Sequence, residues 1–100
     1  MFRRVLNQIV ERVRRREYIM TVHAEEEMDD DDLSIFDVEH ALLTDSIEER
    51  QSDQTTGEWK YRVRGQALNR RSVQVIVKFS ATGTLVIVTV YDLTGGEHEV

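Results

Sequence analysis

The first 17 residues place their apolar side chains at the spacing of an α-helix. Apolar residues recur at i, i+3, i+4 and i+7, which puts them on one helical face. This stripe consists of Phe2, Val5, Leu6, Ile9, Val10 and Val13. The spacing predicts an amphipathic helix over residues 2–16 with its arginines turned outward, which makes residues 1–17 an N-terminal helical segment.

Two more helices are predicted before residue 45, each from a start signal. Thr21 is a suitable N-cap for a short helix that begins near His23. Ser34 with Asp37 three residues later resembles a capping box. The apolar residues that follow predict a third helix that ends near Thr44.

From Ser46 onward the apolar residues alternate with period two, which is typical of β-strands. Three strands joined by the turn-like segments ALNRR and SATGT are predicted to form an antiparallel meander. They cover residues 58–65, 72–80 and 84–92. The segment IEERQ (47–51) adds an edge strand, and YIMTV (18–22) is either a connector or a brief strand.

The first strand of the meander separates apolar from basic side chains. Trp59, Tyr61 and Val63 are predicted to face the helices. The side chains on the other face are those of Lys60, Arg62 and Arg64. We therefore expect an α+β fold in which N-terminal helices pack on one face of a four-stranded antiparallel sheet and leave the other face partly free.

Length and composition indicate one soluble domain. The chain has 100 residues, of which 40% are hydrophobic, and residues 93–100 are expected to form a flexible tail. There is no cysteine, hence no disulfide and no thiolate metal site. No apolar run reaches the ~18–20 residues of a membrane span, and the arginine-rich N-terminus does not resemble a secretory signal. We expect a cytoplasmic protein that does not insert into membranes.

The net charge of −6 is unevenly distributed. The first 20 residues are basic, residues 21–50 are strongly acidic, and the remainder is nearly balanced. Affinity for phosphates comes mainly from clustered lysine and arginine, so an acidic total argues against a sequence-independent nucleic-acid binder. A local basic groove remains compatible with this composition.

The acidic segment is the first candidate for a metal site. His23 and Glu27 are four residues apart on one helical face, and the aspartates at 29–32 offer oxygen ligands. A calcium loop alternates its acids and has a glycine at its turn, whereas these aspartates are consecutive. We therefore predict a solvated acidic face before the third helix, with no metal and no cofactor.

Basic side chains of the sheet are the best candidates for an anion site. They comprise Lys60, Arg62, Arg64, Arg70, Arg71 and Lys78. A solvated strand face is the alternative explanation, and both remain open. Tyr91 near the end of the last strand either stacks on a base, donates a proton or packs within the sheet. His40 and His98 are expected at the surface.

Five short motifs follow one another between residues 20 and 92. They are TVHAEEEM, LSIFDVEHALL, DSIEER, YRVRG and LVIVTVY. In this order they resemble the bacterial family catalogued as domain of unknown function 4258, with the N-terminal helix as an addition. That family is similar in layout to the RelE-like and MqsR-like toxins, which are small ribonucleases, and its genes often lie beside those of antitoxins.

The resemblance implies a RelE-like toxin that cleaves mRNA without a metal and is bound by an antitoxin protein. In such a reaction the 2′-hydroxyl attacks the adjacent phosphate, while protein groups move protons and stabilise charge on the phosphoryl oxygens. The resemblance implies catalytic roles for His23, Arg62, Arg64, Lys78 and Tyr91. It implies RNA binding by Lys60, Arg70 and Arg71.

Two acidic residues depart from the family pattern. Glu27 and Asp31 stand where family members commonly have arginine, and we expect them to repel RNA. A second hypothesis is therefore a non-catalytic protein-interaction domain. Its partner would be another protein or a second copy bound through the N-terminal helix, whose arginines at 14–16 would meet the acidic residues 25–32.

Overall fold

The computed structural model of the protein describes residues 2–44, 46–52 and 54–93. The elements in this part of the chain are α1 (Arg3–Arg14), β1 (Tyr18–Met20), α2 (Val22–Asp30), α3 (Ile35–Leu43), β2 (Ser46–Ser52), β3 (Trp59–Gln66), β4 (Ser72–Phe79) and β5 (Leu85–Asp92). Every predicted helix and strand is present, with its ends shifted by a residue or two. Apart from Leu93, the predicted tail lies outside the described residues, as does His98.

The strands form one sheet in the order β1-β5-β4-β3-β2. Strands β2 to β5 are antiparallel as predicted, but β1 pairs in parallel with β5. The prediction of a four-stranded antiparallel sheet is therefore wrong, because the sheet has five strands and is mixed. Three residues are too few to show a strand period, and the partner of β1 lies at the other end of the chain. The α+β class is confirmed, and a RelE-like fold stays a prediction.

Local signals begin α2 and α3 as the sequence predicts. The Thr21 hydroxyl accepts a hydrogen bond from Ala24 N at 3.0 Å. Ser34 Oγ accepts one from Asp37 N at 3.2 Å, and the Asp37 carboxylate accepts one from Ser34 N at 2.9 Å, which completes the capping box. These bonds satisfy N–H groups that the first helical turn leaves unpaired, so they fix where each helix begins.

The helices pack on one face of the sheet and form the core with it. Ile9 in the stripe of α1 is fully buried, so this stripe packs within its own chain. Tyr61 and Val63 are buried as predicted, whereas Trp59 is 46% exposed. Trp59 is the first residue of β3, whereas α3 packs on this strand at Gly65, six residues later. These two positions are ~20 Å apart along the strand.

The backbones of α3 and β3 are in contact at Gly65. A Cβ atom on this glycine would overlap the carbonyl of Ala41 in α3. Close by, His40 Nδ1 lies 2.6 Å from the carbonyl oxygen of Gln66 and donates a hydrogen bond to it. Glycine thus allows the helix to lie directly on the strand, which explains the last residue of the YRVRG motif.

Candidate functional site

The face of the sheet opposite the helices, hereafter the open face, carries most of the predicted site residues. It consists of Lys60, Arg62, Arg64, Gln74, Ile76, Lys78, Val86, Thr89 and Tyr91. Arg64 and Tyr91 are both paired with Gln74, so their Cα atoms are two strand spacings, ~10 Å, apart. Lys78 lies directly opposite Lys60.

His23 does not lie on the open face. It is in the first turn of α2, which packs beside β5, and its side chain is 63% exposed. Its Nε2 atom lies 3.2 Å from Glu27 Oε1. The structure therefore places four of the five predicted catalytic residues on one face and the fifth past the β5 edge. Their catalytic roles stay predictions.

Three glutamates pair with cations of the open face. None of the three was predicted as a site residue. Arg62 lies 2.8 Å from the Glu49 carboxylate and 3.6 Å from that of Glu48, which is also 3.8 Å from Arg64. A third glutamate, Glu58, lies 3.3 Å from Lys78 Nζ. An irregularity in β2 between Ile47 and Glu49 lets both glutamates of β2 reach the same face, which simple alternation does not predict.

The two acids that depart from the family pattern bind the free edge of β5. This strand continues past Ile87, where its pairing with β1 ends. Glu27 Oε1 accepts a hydrogen bond from Val90 N at 3.1 Å, and Asp31 Oδ2 accepts one from Asp92 N at 3.2 Å. The two acids are four residues apart in α2, a rise of ~6 Å, and their N–H partners are two residues apart in β5, a span of ~6.6 Å. Because these lengths are similar, each carboxylate reaches one of the alternate N–H groups at the strand edge. That they also repel RNA stays a prediction.

Arg70 and Arg71 lie in the β3–β4 turn and differ in their surroundings. Arg71 donates hydrogen bonds to the carbonyls of Asp31 and Asp32, both at 3.0 Å, and to the Asp92 carboxylate at 2.8 Å. These hydrogen bonds therefore hold the β3–β4 turn against the end of α2. The Arg70 side chain has no hydrogen bond or ion pair with the described residues. RNA binding by either arginine stays a prediction.

The Tyr18 hydroxyl is held in a structural hydrogen bond. It donates to the Glu39 carboxylate at 2.6 Å and joins β1 to α3. Burial, followed by this hydrogen bond, raises the pKa of Tyr18 above its ordinary value. A phenol with a raised pKa and an occupied hydroxyl is a poor proton donor at neutral pH, so Tyr18 is not a candidate acid.

Metal sites and membrane spans are absent from the part of the chain that the structure describes. No three side chains of histidine, cysteine, aspartate or glutamate among residues 2–44, 46–52 and 54–93 could hold a metal ion. None of the helices α1 to α3 is long and apolar enough to cross a membrane.

The chain matches a known protein family over most of its length. The family described as Domain of unknown function (DUF4258) matches residues 20–92, from the end of β1 to the end of β5. Helix α1 precedes the matched region. No curated protein and no solved structure matches the chain at the significance required.

Proposed function

We propose that the chain, which belongs to the DUF4258 family, cleaves RNA on the open face as a toxin-type endoribonuclease. The observation that supports this proposal is the shared location of Arg62, Arg64, Lys78 and Tyr91 on the sheet face opposite the helices. Three cations and a phenol on one surface offer the charge stabilisation and proton transfer that phosphodiester cleavage requires. An antitoxin protein that covers this face is the proposed partner.

The proposed reaction uses the ribose itself as the nucleophile. The 2′-hydroxyl attacks the adjacent phosphorus, the bond to the 5′-oxygen breaks, and the products are a 2′,3′-cyclic phosphate and a 5′-hydroxyl end. Arg62 and Arg64 stabilise the negative charge that grows on the phosphoryl oxygens. Tyr91 protonates the leaving oxygen, and His23 accepts the proton of the 2′-hydroxyl from RNA that extends past the β5 edge, where this histidine lies. Lys78 binds a neighbouring phosphate.

RNA must displace the glutamates that now pair with the arginines. The side chains of Arg62, Arg64, Glu48 and Glu49 are 34–50% exposed. Ion pairs this close to solvent contribute only ~0–1 kcal/mol each. A phosphate bound by two guanidinium groups forms charge-assisted hydrogen bonds of the same kind, so it can replace the carboxylates at little cost.

A cleavage assay with purified protein and mRNA tests the proposal. Tyr91→Phe removes one hydroxyl that makes no hydrogen bond with the described residues, so the fold should be unchanged. We expect this variant to lower the cleavage rate by ~10²–10⁴-fold, the usual contribution of a general acid. We expect the parent to release fragments that end in a 2′,3′-cyclic phosphate.

A matched pair of arginine variants serves as the control. Arg64→Gln removes a cation from the open face, whereas Arg14→Gln removes one from the exposed side of α1. The first should slow cleavage and the second should not. A parent that leaves RNA intact, or equal losses in the two variants, contradicts the proposal.

A non-catalytic protein-interaction domain is the second candidate, and apolar side chains on the opposite side of the molecule favour it. Phe36 and Leu43 of α3 are 56% and 42% exposed, and they lie seven residues apart on one helical face. Leu68, whose N–H donates to the Asp37 carboxylate near the start of α3, is 60% exposed. We propose that these exposed apolar side chains bind a protein partner.

Homo-oligomerisation through the N-terminal helix remains a proposal within this second candidate. Ile9 and Val13 are buried within the chain, so only the outer side of α1 is available to another copy. Light scattering of the full chain decides this point, since a monomer at all concentrations excludes the self-associated form. RNA left intact together with a dimer would favour the second candidate over the first.

A further inference from the structure

The end of α1, strand β1 and the β4–β5 turn enclose a cleft, hereafter the turn cleft. Its volume is about 380 Å³. The residues that matter for its chemistry are Arg12, Arg16, Glu17, Tyr18, Ile19 and Gly83. Ile19 lies on the same sheet face as Val86, with which it pairs, but the proposed RNA cleavage assigns no role to the side chains of the turn cleft.

Arg16 lies in this cleft in a backbone conformation that favours glycine. Helix α1 ends in a Schellman motif, because Glu17 N donates to Arg12 O at 2.8 Å and Arg16 N donates to Val13 O at 3.0 Å. Arg16 occupies the position after the C-cap with φ 55°, where glycine is the usual residue. Its guanidinium forms no hydrogen bond or ion pair with the described residues. Local stability therefore does not explain an arginine here.

Arg12 brings a second guanidinium group to the cleft. Its Nη1 atom donates to the Glu17 carboxylate at 3.3 Å, whereas its Nε atom is buried and has no hydrogen-bond partner in the described structure. Gly83 in the β4–β5 turn, with φ 87°, lies beside this side chain. A buried N–H donor without a partner is unfavourable unless a ligand or a water molecule accepts its hydrogen bond.

We propose that the turn cleft binds the phosphate group of a molecule about the size of a mononucleotide. The two guanidinium groups outweigh the carboxylate of Glu17, and their planar donors suit phosphate oxygens. Ile19, which is 56% exposed, and Tyr18 line the cleft from the two faces of β1 and supply apolar surface for the rest of the ligand. This combination of a few polar groups with apolar lining is typical of small-molecule sites, and the volume lies within their usual ~300–1,000 Å³.

NMR titrations of the full chain with inorganic phosphate and with AMP test the proposal. The amide of Gly83 and the Nε–H of Arg12 report on the two sides of the cleft. Both signals should shift in a saturable manner with either compound. AMP should bind more tightly than phosphate, because its base adds contacts with Tyr18 and Ile19.

Arg16→Gly separates binding from folding. Glycine adopts the φ of this position without strain, so the melting temperature should not fall. The loss of a charge-assisted contact should nevertheless weaken phosphate binding about tenfold or more. Asp32→Gly is the matched control, because Asp32 occupies the same position at the end of α2, also with φ 55°, and does not line the cleft.

Four results would overturn the proposal. The first is that neither phosphate nor AMP shifts the two signals, and the second is that Arg16→Gly binds phosphate as the parent does. The third is an equal loss in Arg16→Gly and Asp32→Gly, which would indicate an effect of glycine at a helix end and not of the Arg16 side chain. The fourth is that AMP binds no more tightly than phosphate, which excludes a ligand with a ring. None of these measurements uses RNA cleavage, so this site and the proposed function fail or stand independently.

Discussion

At the scale of single residues, Gly65 contributes to the fold because it has no side chain. The YRVRG motif identifies this position in the sequence, but not why it requires glycine. The structure supplies the reason, because a Cβ atom would overlap the backbone of Ala41. A backbone cannot move aside as a flexible side chain can, so the helix and the strand would have to separate.

Gly65→Ala should therefore destabilise the protein. Overpacking of this kind costs ~1–3 kcal/mol, and each kcal/mol lowers the melting temperature of a domain of this size by ~4–8 °C. Thermal unfolding followed by circular dichroism measures the effect. Gln66→Ala, at the exposed neighbouring position, is the control and should melt close to the parent. Equal melting temperatures for the two variants would contradict the close contact.

Asp37 makes stability depend on pH. Burial by itself raises the pKa of Asp37. Hydrogen bonds from Ser34 and Leu68 and the charge of Arg71 together lower it by more, so the pKa lies below its ordinary value. A carboxylate with a lowered folded-state pKa stabilises the fold above the ordinary aspartate pKa. This stabilisation is lost as the pH falls through the folded pKa.

Asp37→Asn should accordingly reduce stability near neutral pH, because a neutral amide accepts weaker hydrogen bonds than a carboxylate. The difference from the parent should shrink as the pH falls below the ordinary aspartate pKa of about 4, and should vanish once the folded carboxylate of the parent is also protonated. Urea unfolding at the two pH values measures both effects. Asp30→Asn removes an exposed aspartate without a described hydrogen bond, so its unfolding should match that of the parent. A difference that stays constant with pH would refute the role of the charge.

At the scale of elements, the docking of α2 on β5 changes the interpretation of the acidic segment. From the sequence we expect Glu27 and Asp31 to repel RNA. In the structure, each carboxylate accepts a hydrogen bond from an N–H group at the edge of β5. A substitution at these positions therefore changes the fold as well as the charge, unless it keeps an acceptor oxygen.

Two double variants separate these effects. Glu27→Gln with Asp31→Asn keeps the acceptor oxygens and should remain folded, with higher RNA affinity if the acids repel RNA. Glu27→Arg with Asp31→Arg leaves two N–H groups without acceptors, which costs ~1–3 kcal/mol for each group that stays buried. Melting temperatures and RNA-binding curves at several salt concentrations measure both properties. An arginine variant as stable as the parent would show that these hydrogen bonds do not hold α2.

Much of the fold follows from local sequence signals, and the remainder depends on distant contacts. Periodicity predicts α1 and β3 to β5, and the caps at Thr21 and Ser34 fix where α2 and α3 begin. The pairing of β1 with β5 could not be predicted, because three residues carry no clear period. The bonds of Glu27 to the β5 edge were missed for a similar reason, since no local pattern marks which N–H groups lack a strand partner.

At the scale of the whole molecule, opposite charges that are far apart in sequence meet on the open face. The glutamates of β2 pair with the arginines of β3, so the cations do not form the strongly positive surface that the sequence suggests. If RNA binds here, these glutamates set its affinity and its salt dependence, because each phosphate contact must first break an existing pair.

Glu48→Gln with Glu49→Gln should raise RNA affinity and make its salt dependence steeper, since two arginines become available to phosphates. The fold should be retained, because the lost pairs are exposed and contribute little. Filter binding at several salt concentrations measures the slope. Glu25→Gln with Glu26→Gln, at exposed positions in α2, removes the same charge elsewhere. If both double variants bind RNA equally, the effect comes from net charge and not from the open face.

The parallel pairing of β1 with β5 also determines when the fold can be completed during synthesis. Residues 18–20 leave the ribosome well before their partners at 85–87 have been made. Until then, β1 has no partner strand, and the N–H of Thr21 lacks the Ile87 carbonyl to which it donates in the folded protein. Until then the hydrophobic core is incomplete, and exposed hydrophobic residues bind other chains most readily. A newly made chain thus reaches its native topology only after β5 has been made, and a chain cut short before β5 cannot form it.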